Sequence, residues 1–211
     1  VDYWNAYEFM WLNENGWPET CILQIEVPAE SLFMIESKSM KLYLGSFYNT
    51  KFKSKSDVLE KISKTFSNVC KAPVKVCETT HSINSFHSDY VCIDHMFEFN
   101  HKDNNTYKYM THAFRSVCPV TSQPDYASLF FNFSAKENYL SWIKKKIVSY
   151  REVGEFHESC IESFFDDMWH ECECSELSIL GCFTRRGGID INPYRSSIDL
   201  NKISYKRLLR Q

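Results

Sequence analysis

An order of patterns that occurs twice limits the fold of this 211-residue chain more than any other feature. In the first half, Tyr3 to Leu12 and Cys21 to Val27 read as strands joined through Gly16-Trp17-Pro18. Ser37 to about Phe47 reads as a helix that Ser37 can cap, with Met40, Leu42, Tyr43, Leu44 and Phe47 as its apolar part. Ser56-Asp57 is placed to cap a second helix, whose Val58, Leu59, Ile62 and Phe66 recur at helical spacing. Pro73 to Cys77 and Tyr90 to Phe99 return to strands. The second half repeats the order. Phe114 to Cys118 and Tyr126 to Phe133 are strand-like, Tyr139 to about Tyr150 and Phe156 to about Trp169 are helical with a break at Gly154, and Leu177 to Phe183 and Ile189 to Ile191 are strands again. The reading is an α+β protein of two β-β-α-α-β-β modules, residues 1–105 and 106–211, joined at the polar run His101-Lys102-Asp103-Asn104-Asn105.

Composition decides the class. Hydrophobic residues make up 44% and charged residues 24%, which suits a globular domain with a sizeable core. No apolar run approaches the roughly 20 residues of a membrane span, and Val1 to Trp17 is too aromatic, acidic and polar for a signal peptide. A cytoplasmic protein without a membrane partner is expected, and its nine scattered cysteines read as mostly free thiols. The net charge of −3, without a basic block, argues against direct nucleic-acid binding.

Four segments carry candidate chemistry. In Cys118-Pro119-Val120-Thr121-Ser122-Gln123-Pro124-Asp125, each proline holds the residue before it extended, and the stretch between can return Asp125 toward the thiol. A thiolate beside an acid suits attack on a polarised carbon, with protonation of the anion that forms. The plain alternative is a buried cysteine at a strand end. In Gly154-Glu155-Phe156-His157-Glu158, His157 and Glu158 open a helix, where a carboxylate is favoured and can also grip a guanidine-like edge. Ile35-Glu36-Ser37-Lys38-Ser39-Met40-Lys41 places two lysines on one face of a helix start, either a phosphate seat or a solvated surface. Thr184-Arg185-Arg186-Gly187-Gly188 reads equally as a phosphate contact or a hairpin turn. His170-Glu171-Cys172-Glu173-Cys174 and the five histidines between His81 and His112 lack the paired cysteine spacing of a structural zinc site, so no metal site is assigned. No Rossmann glycine fingerprint occurs.

Together these segments resemble the NADPH-dependent 7-cyano-7-deazaguanine reductases. Glu36-Ser37-Lys38-Ser39-Met40-Lys41-Leu42-Tyr43-Leu44 is similar to that family's E-S-K-S-x-K-L-Y-L run. Cys118-Pro119 to Gln123-Pro124-Asp125, Phe156-His157-Glu158, and Arg185-Arg186-Gly187-Gly188 to Asp190-Ile191-Asn192-Pro193 match three more of its segments in the same order. The resemblance implies tandem tunnelling-fold modules, antiparallel sheets with helices on one face. It implies reduction of a nitrile to an aminomethyl group with NADPH, in queuosine biosynthesis, on a small deazapurine substrate. By carry-over, Cys118 forms a covalent thioimide and Asp125 donates a proton. Ile35, Glu36, Ser37, His157 and Glu158 hold the deazaguanine, while Ser37, Lys38, Arg186 and Gly187 contact NADPH. Two departures stand out: members of the two-module type usually carry some tens more residues before the stretch matching Val1, and Ser122 replaces a glycine or histidine.

The rival reading is a metal-dependent tunnelling-fold hydrolase acting on a pterin or purine. Because the E-S-K-S run precedes the cysteine here, the two modules are expected to have kept different parts of one site. Exposed sheet edges further suggest a homodimer or higher oligomer.

Overall fold

A computed structural model describes residues 1–16, 18–79, 89–94, 96, 105–198, 208 and 211. The described chain groups into two compact units, Val1–His81 with Arg185–Ile191, and Ser82–Thr184 with Asn192–Gln211. The class is α+β.

The first unit runs β1 (Asp2–Leu12), β2 (Pro18–Val27), α1 (Ser37–Gly45), α2 (Lys55–Cys70) and β3 (Lys75–Glu78). β2 pairs antiparallel with β1 on one side and with β3 on the other. Cys21, Leu23, Ile25 and Val27 alternate inward along β2, as a strand with one buried face requires. β1 keeps its apolar face by a device that plain alternation lacks. Trp4 and Ala6 face the core, the register shifts between Ala6 and Phe9, and Phe9 and Trp11 then face the same core. A bulge inserts one residue and so resets the parity. The helices complete the core with Met40 and Leu44 from α1 and with Val58, Ile62, Phe66 and Cys70 from α2.

The second unit runs β4 (Val91–Cys92), β5 (Thr106–Val117), β6 (Pro124–Ser134), α3 (Leu140–Ser149), a 3₁₀ turn (Tyr150–Glu152), α4 (His157–Glu171), β7 (Glu176–Phe183) and the end of β8 (Ile189–Ser196). β5, β6, β7 and β8 pair antiparallel in sequence order, which with α3 and α4 gives the expected β-β-α-α-β-β module. β5 carries the same bulge as β1, between Thr111 and Phe114, so Tyr109 and Phe114 both reach the core despite their opposite parity. Phe131 and Phe133 of β6 meet Ile143 and Ile147 of α3 and Ile161, Phe164 and Met168 of α4 in that core. At Gly181 of β7 an added Cβ would lie 2.7 Å from Ile161 Cδ1, so only glycine lets α4 settle this closely on the sheet.

Local details differ from the sequence reading. Ser54, not Ser56, caps α2, its hydroxyl accepting from the Asp57 N–H at 3.2 Å. Glu36, not Ser37, caps α1. α1 stops at Gly45 rather than Phe47. The strand expected over Tyr90 to Phe99 is described only as Val91–Cys92, which pairs parallel with β5 and groups with the second unit. The polar join at 101–104 lies outside the described residues.

Candidate active site

Cys118 opens the loop between β5 and β6. The strands close around it with Val117 opposite Pro124 and Ser116 opposite Asp125. Two main-chain bonds of 2.9 Å, from Cys118 N–H to the Gln123 carbonyl and from Ser122 N–H to the Cys118 carbonyl, tie the loop to itself. Ser122 takes a left-handed φ of 56° to make the turn. Inside this loop the Cys118 thiol is part-buried, and burial by itself would push its pKa up. Hydrogen bonds from the Thr121 hydroxyl and from the N–H groups of Thr121 and Val120 outweigh burial and the opposing charge of Asp125, so the thiol lies below its ordinary value.

The contrast with the other cysteines is chemical. Burial, foremost, pushes Cys160 and Cys172 up to about 12 and Cys21 and Cys174 up to about 11. Cys70 and Cys77 also move up, again chiefly by burial. Among these thiols Cys118 alone is shifted toward the reactive thiolate.

Asp125, at the start of β6, is buried at 4% exposure and lies 3.1 Å from Nε2 of His157. His157 opens α4, and its ring stacks on Phe183 of β7 with centroids 4.0 Å apart and planes 13° from parallel. The imidazole is thus fixed by a flat apolar partner and a carboxylate. Glu158, the next residue, is also buried, at 6% exposure. The chain reaches α4 past the cysteine loop, because Val117 N–H donates to the Val153 carbonyl at 2.9 Å and Gly154 bridges to Val117. An added Cβ at Gly154 would face Pro119 Cα at 3.9 Å. Cys118, Asp125, His157 and Glu158 therefore belong to one unit and one stretch of its surface.

The first unit holds the other expected residues. Glu36 is the N-cap of α1, its carboxylate accepting from Lys38 N–H and Ser39 N–H at 2.8 Å each and from the Ser39 hydroxyl at 2.9 Å. These bonds, against a burial effect of opposite sign, hold its carboxyl below the ordinary value. Ile35 is buried in the core of this unit, Ser37 is half-buried and Lys38 is exposed. Arg186 starts a two-residue turn, its N–H donating to the Ile189 carbonyl at 2.9 Å. Gly187 and Gly188 stand at φ 58° and 78°, the left-handed pair that a tight hairpin turn demands. Lys41 of α1 reaches this turn, since a Cβ added to Gly187 would lie 3.4 Å from Lys41 Cδ. Helix and turn border a shallow, open hollow lined by Ala6, Phe9, Lys41, Tyr48, Gly187 and Gly188, among others. So the structure brings together two basic segments that lie about 145 residues apart in sequence.

Sequence comparison decides the family. A family profile described as "Nitrile reductase, 7-cyano-7-deazaguanine-reductase N-term" matches residues 1–77, and one described as "QueF-like protein" matches residues 124–202. The NADPH-dependent 7-cyano-7-deazaguanine reductase of Buchnera aphidicola is 35% identical over 100% of this chain and 87% of its own length. The reductase of the same name from Acinetobacter baumannii (strain SDF) is 35% identical over 93% of this chain and 78% of its own length. That from Coxiella burnetii (strain Dugway 5J108-111) is 35% identical over 100% and 81%. The chain belongs to the NADPH-dependent 7-cyano-7-deazaguanine reductases.

Several neighbours of these reductase residues escaped the sequence reading. Thr121 at the thiol and Phe183 under His157 carry no recognisable signal by themselves. The sequence marks Lys41 as basic but does not show that it lies against Gly187. Asp190 stands out in the sequence only as the start of Asp190-Ile191-Asn192-Pro193. It is 1% exposed and accepts from Asn5 Nδ2 at 2.7 Å and from the Tyr7 hydroxyl at 2.5 Å. Among the described residues no cluster of three potential metal ligands forms, and no helix is long and apolar enough to cross a membrane. His81, His87, His95 and His101 lie outside the described residues.

Proposed function

We propose that this chain reduces the nitrile of 7-cyano-7-deazaguanine to an aminomethyl group through a covalent thioimide on Cys118, in tRNA queuosine biosynthesis. The observation that carries this reading is a thiol lowered by its own loop beside a buried carboxylate–imidazole pair. The Cys118 thiolate adds to the nitrile carbon, and the nitrogen takes up a proton as the carbon–sulfur bond forms. Asp125 supplies that proton, and His157 holds and replenishes Asp125 across 3.1 Å. Glu158 and His157, with Ile35, Glu36 and Ser37, hold the deazaguanine. A carboxylate can accept two hydrogen bonds from its guanidine-like edge, which fixes the ring in register.

When bound, NADPH would supply a hydride for each of the two two-electron reductions that take a nitrile to an amine. The residues that would hold it fit a polyanion. Gly187 leaves room that a Cβ would fill against Lys41, and Arg186 borders the same turn. Arg186, Gly187, Lys38 and Ser37 would contact its phosphates and ribose, and positive side chains replace the glycine-rich Rossmann turn that the chain lacks. A small-molecule reductase of this kind works in the cytoplasm, without direct nucleic-acid binding, and we propose a homodimer or higher oligomer.

The test is intact-mass spectrometry of the protein mixed with 7-cyano-7-deazaguanine, without NADPH. The wild type should gain the mass of one nitrile molecule, and Cys118→Ala should gain none. An adduct that persists in Cys118→Ala would remove Cys118 from the mechanism.

A further inference from the structure

Three groups of Tyr7 converge on the basic turn. Tyr7 lies in the bulge of β1, where the register with β2 shifts between Ala6 and Phe9. A bulge leaves a residue out of the ladder. The Tyr7 N–H donates instead to the Gly188 carbonyl at 2.9 Å. Its hydroxyl donates to Asp190, just after the turn, at 2.5 Å. Its ring lies under the guanidinium of Arg185, just before the turn, with Cζ 5.2 Å from the ring centroid. The anchor is itself held. Asp190 is buried and also accepts from Asn5, and Asn5 accepts from Gln24 Nε2 of β2 at 3.3 Å.

The two arginines of the turn face opposite ways. Arg186 pairs with Ile189 across the turn, and Ile189 and Ile191 both belong to the core of this unit. Neighbours along a strand point to opposite faces. Asp190 therefore lies on the face away from that core, with the Tyr7 hydroxyl bonded to it and Arg185 over the Tyr7 ring. Arg186 lies on the side of Ile189. Arg185 is exposed, and among the described residues it pairs with no carboxylate. A guanidinium can rest its face on an aromatic ring and keep its N–H donors for an anion.

We propose that Arg185 is a second phosphate contact of the cofactor seat, on the face of the turn opposite Arg186, and that Tyr7 is the positioning residue that carries it. The proposal rests on the reading that NADPH binds at this turn. NADPH offers two separate anionic groups, a pyrophosphate and a 2′-phosphate, with a ribose between them. Arginines on opposite faces of one tight turn can take one each.

The experiment is calorimetric titration of the full-length protein with NADP⁺, which reads binding without turnover. Arg185→Ala should weaken binding roughly tenfold, the scale of one charge-assisted contact. Its denaturant midpoint should stay at the wild-type value, since the side chain is exposed. Arg185→Lys keeps the charge but loses the flat face, and should recover only part of the affinity. Tyr7→Leu removes the ring and should weaken NADP⁺ several-fold, whereas Tyr7→Phe keeps the ring and should stay closer to wild type. A titration with NAD⁺ assigns the phosphate. A loss confined to NADP⁺ puts the 2′-phosphate at Arg185, and a loss for both puts the pyrophosphate there; either supports the proposal. Arg186→Ala separates the proposal from the reading beneath it. If Arg186→Ala weakens NADP⁺ and Arg185→Ala does not, the second contact is overturned and the cofactor seat stands. If neither weakens it, both fall. A Tyr7→Leu protein that binds as tightly as wild type overturns the positioning role of Tyr7, and if that variant does not fold, the Arg185 substitutions still decide the contact.

Discussion

The two units share an order of elements but put reactive groups on different pieces of it. In the first, β1 and β2 are joined by a tight turn at Asn13 to Gly16, with Gly16 at φ 81° and its N–H bonded to the Asn13 carbonyl. In the second, the corresponding connection is the six-residue loop 118–123, which begins with Cys118. The helices divide the work in the opposite sense. α1 begins with Glu36 and its lysines, while its counterpart α3 begins at Tyr139, which has a left-handed φ of 45° and no side-chain cap. α4 begins with His157 and Glu158, whereas its counterpart α2 begins with an ordinary serine cap. One scaffold therefore offers two kinds of seat: a hairpin loop backed by the second helix, and a first-helix N-terminus backed by a glycine turn. The second unit carries the lowered thiol of Cys118 on the first kind, and the first unit holds basic groups on the other.

The largest effect should come from the second unit. Asp125→Asn keeps the shape of a buried residue but removes its acid and its pairing with His157. Nitrile adduct formation, measured by stopped-flow absorbance, should slow by about 10²- to 10⁴-fold, the usual value of a general acid. Unchanged near-ultraviolet circular dichroism would show that the loss is chemical. Near-normal rates would move the proton donor elsewhere, with His157 next in line.

The first unit should instead show its largest effects in stability. Asp190→Ala removes the acceptor of Asn5 Nδ2, which is buried, and of the Tyr7 hydroxyl, which is half-buried. A buried donor such as Asn5 Nδ2 deprived of its acceptor costs about 1–3 kcal/mol, so the denaturant midpoint should fall clearly. A midpoint unchanged within error would show that water or neighbours replace the carboxylate. Glu36 adds a pH signature. Its folded carboxyl lies below its unfolded value, so its stabilisation is present at neutral pH and is lost as pH falls through the carboxylate range.

Arg186→Ala is the milder test of the basic turn. The apparent Michaelis constant for NADPH should rise roughly tenfold, the scale of one charge-assisted contact, while adduct formation by the nitrile stays near wild type. Equal damage to both steps would erase the division of labour between the units.

What the sequence could and could not disclose follows from the range of each interaction. The strands, the four helices and the loop holding Cys118 were legible because periodicity and proline are local. Glu36 as the cap of α1 was missed because serine is the commoner cap and both residues stood in place. The bulges leave a trace, since Trp4 and Ala6 give way to Phe9 and Trp11 with a change of parity, but the trace needs the core to be known first. The meeting of Lys41 with Gly187, of Asp190 with Asn5, and of His157 with Phe183 depends on strand pairing over long separations. No window of sequence contains both partners. Thr121 is different: it lies three residues from Cys118, and only the folded loop shows its hydroxyl accepting from the Gln123 N–H.

That loop gives the smallest and most discriminating prediction. Ser122 stands at φ 56°, where an L-residue is strained by about 1–2 kcal/mol and glycine is not. Glycine also has more freedom to lose on folding, which offsets roughly half of that relief. Ser122→Gly should therefore stabilise the protein by less than about 1 kcal/mol, a small rise in denaturant midpoint with an unchanged slope. Its value lies in what should stay still. The main-chain bonds that tie Cys118 to Gln123 and Ser122 remain in place, so the pH midpoint of Cys118 alkylation by iodoacetamide, followed by mass spectrometry, should not move. If Ser122→Gly shifts that midpoint by about one pH unit, the thiol is set by the stiffness of the whole loop and not by the groups that face it. The contrast with the tight turn at Asn13 to Gly16 would then lie in rigidity alone, because that turn already has its glycine at the left-handed position.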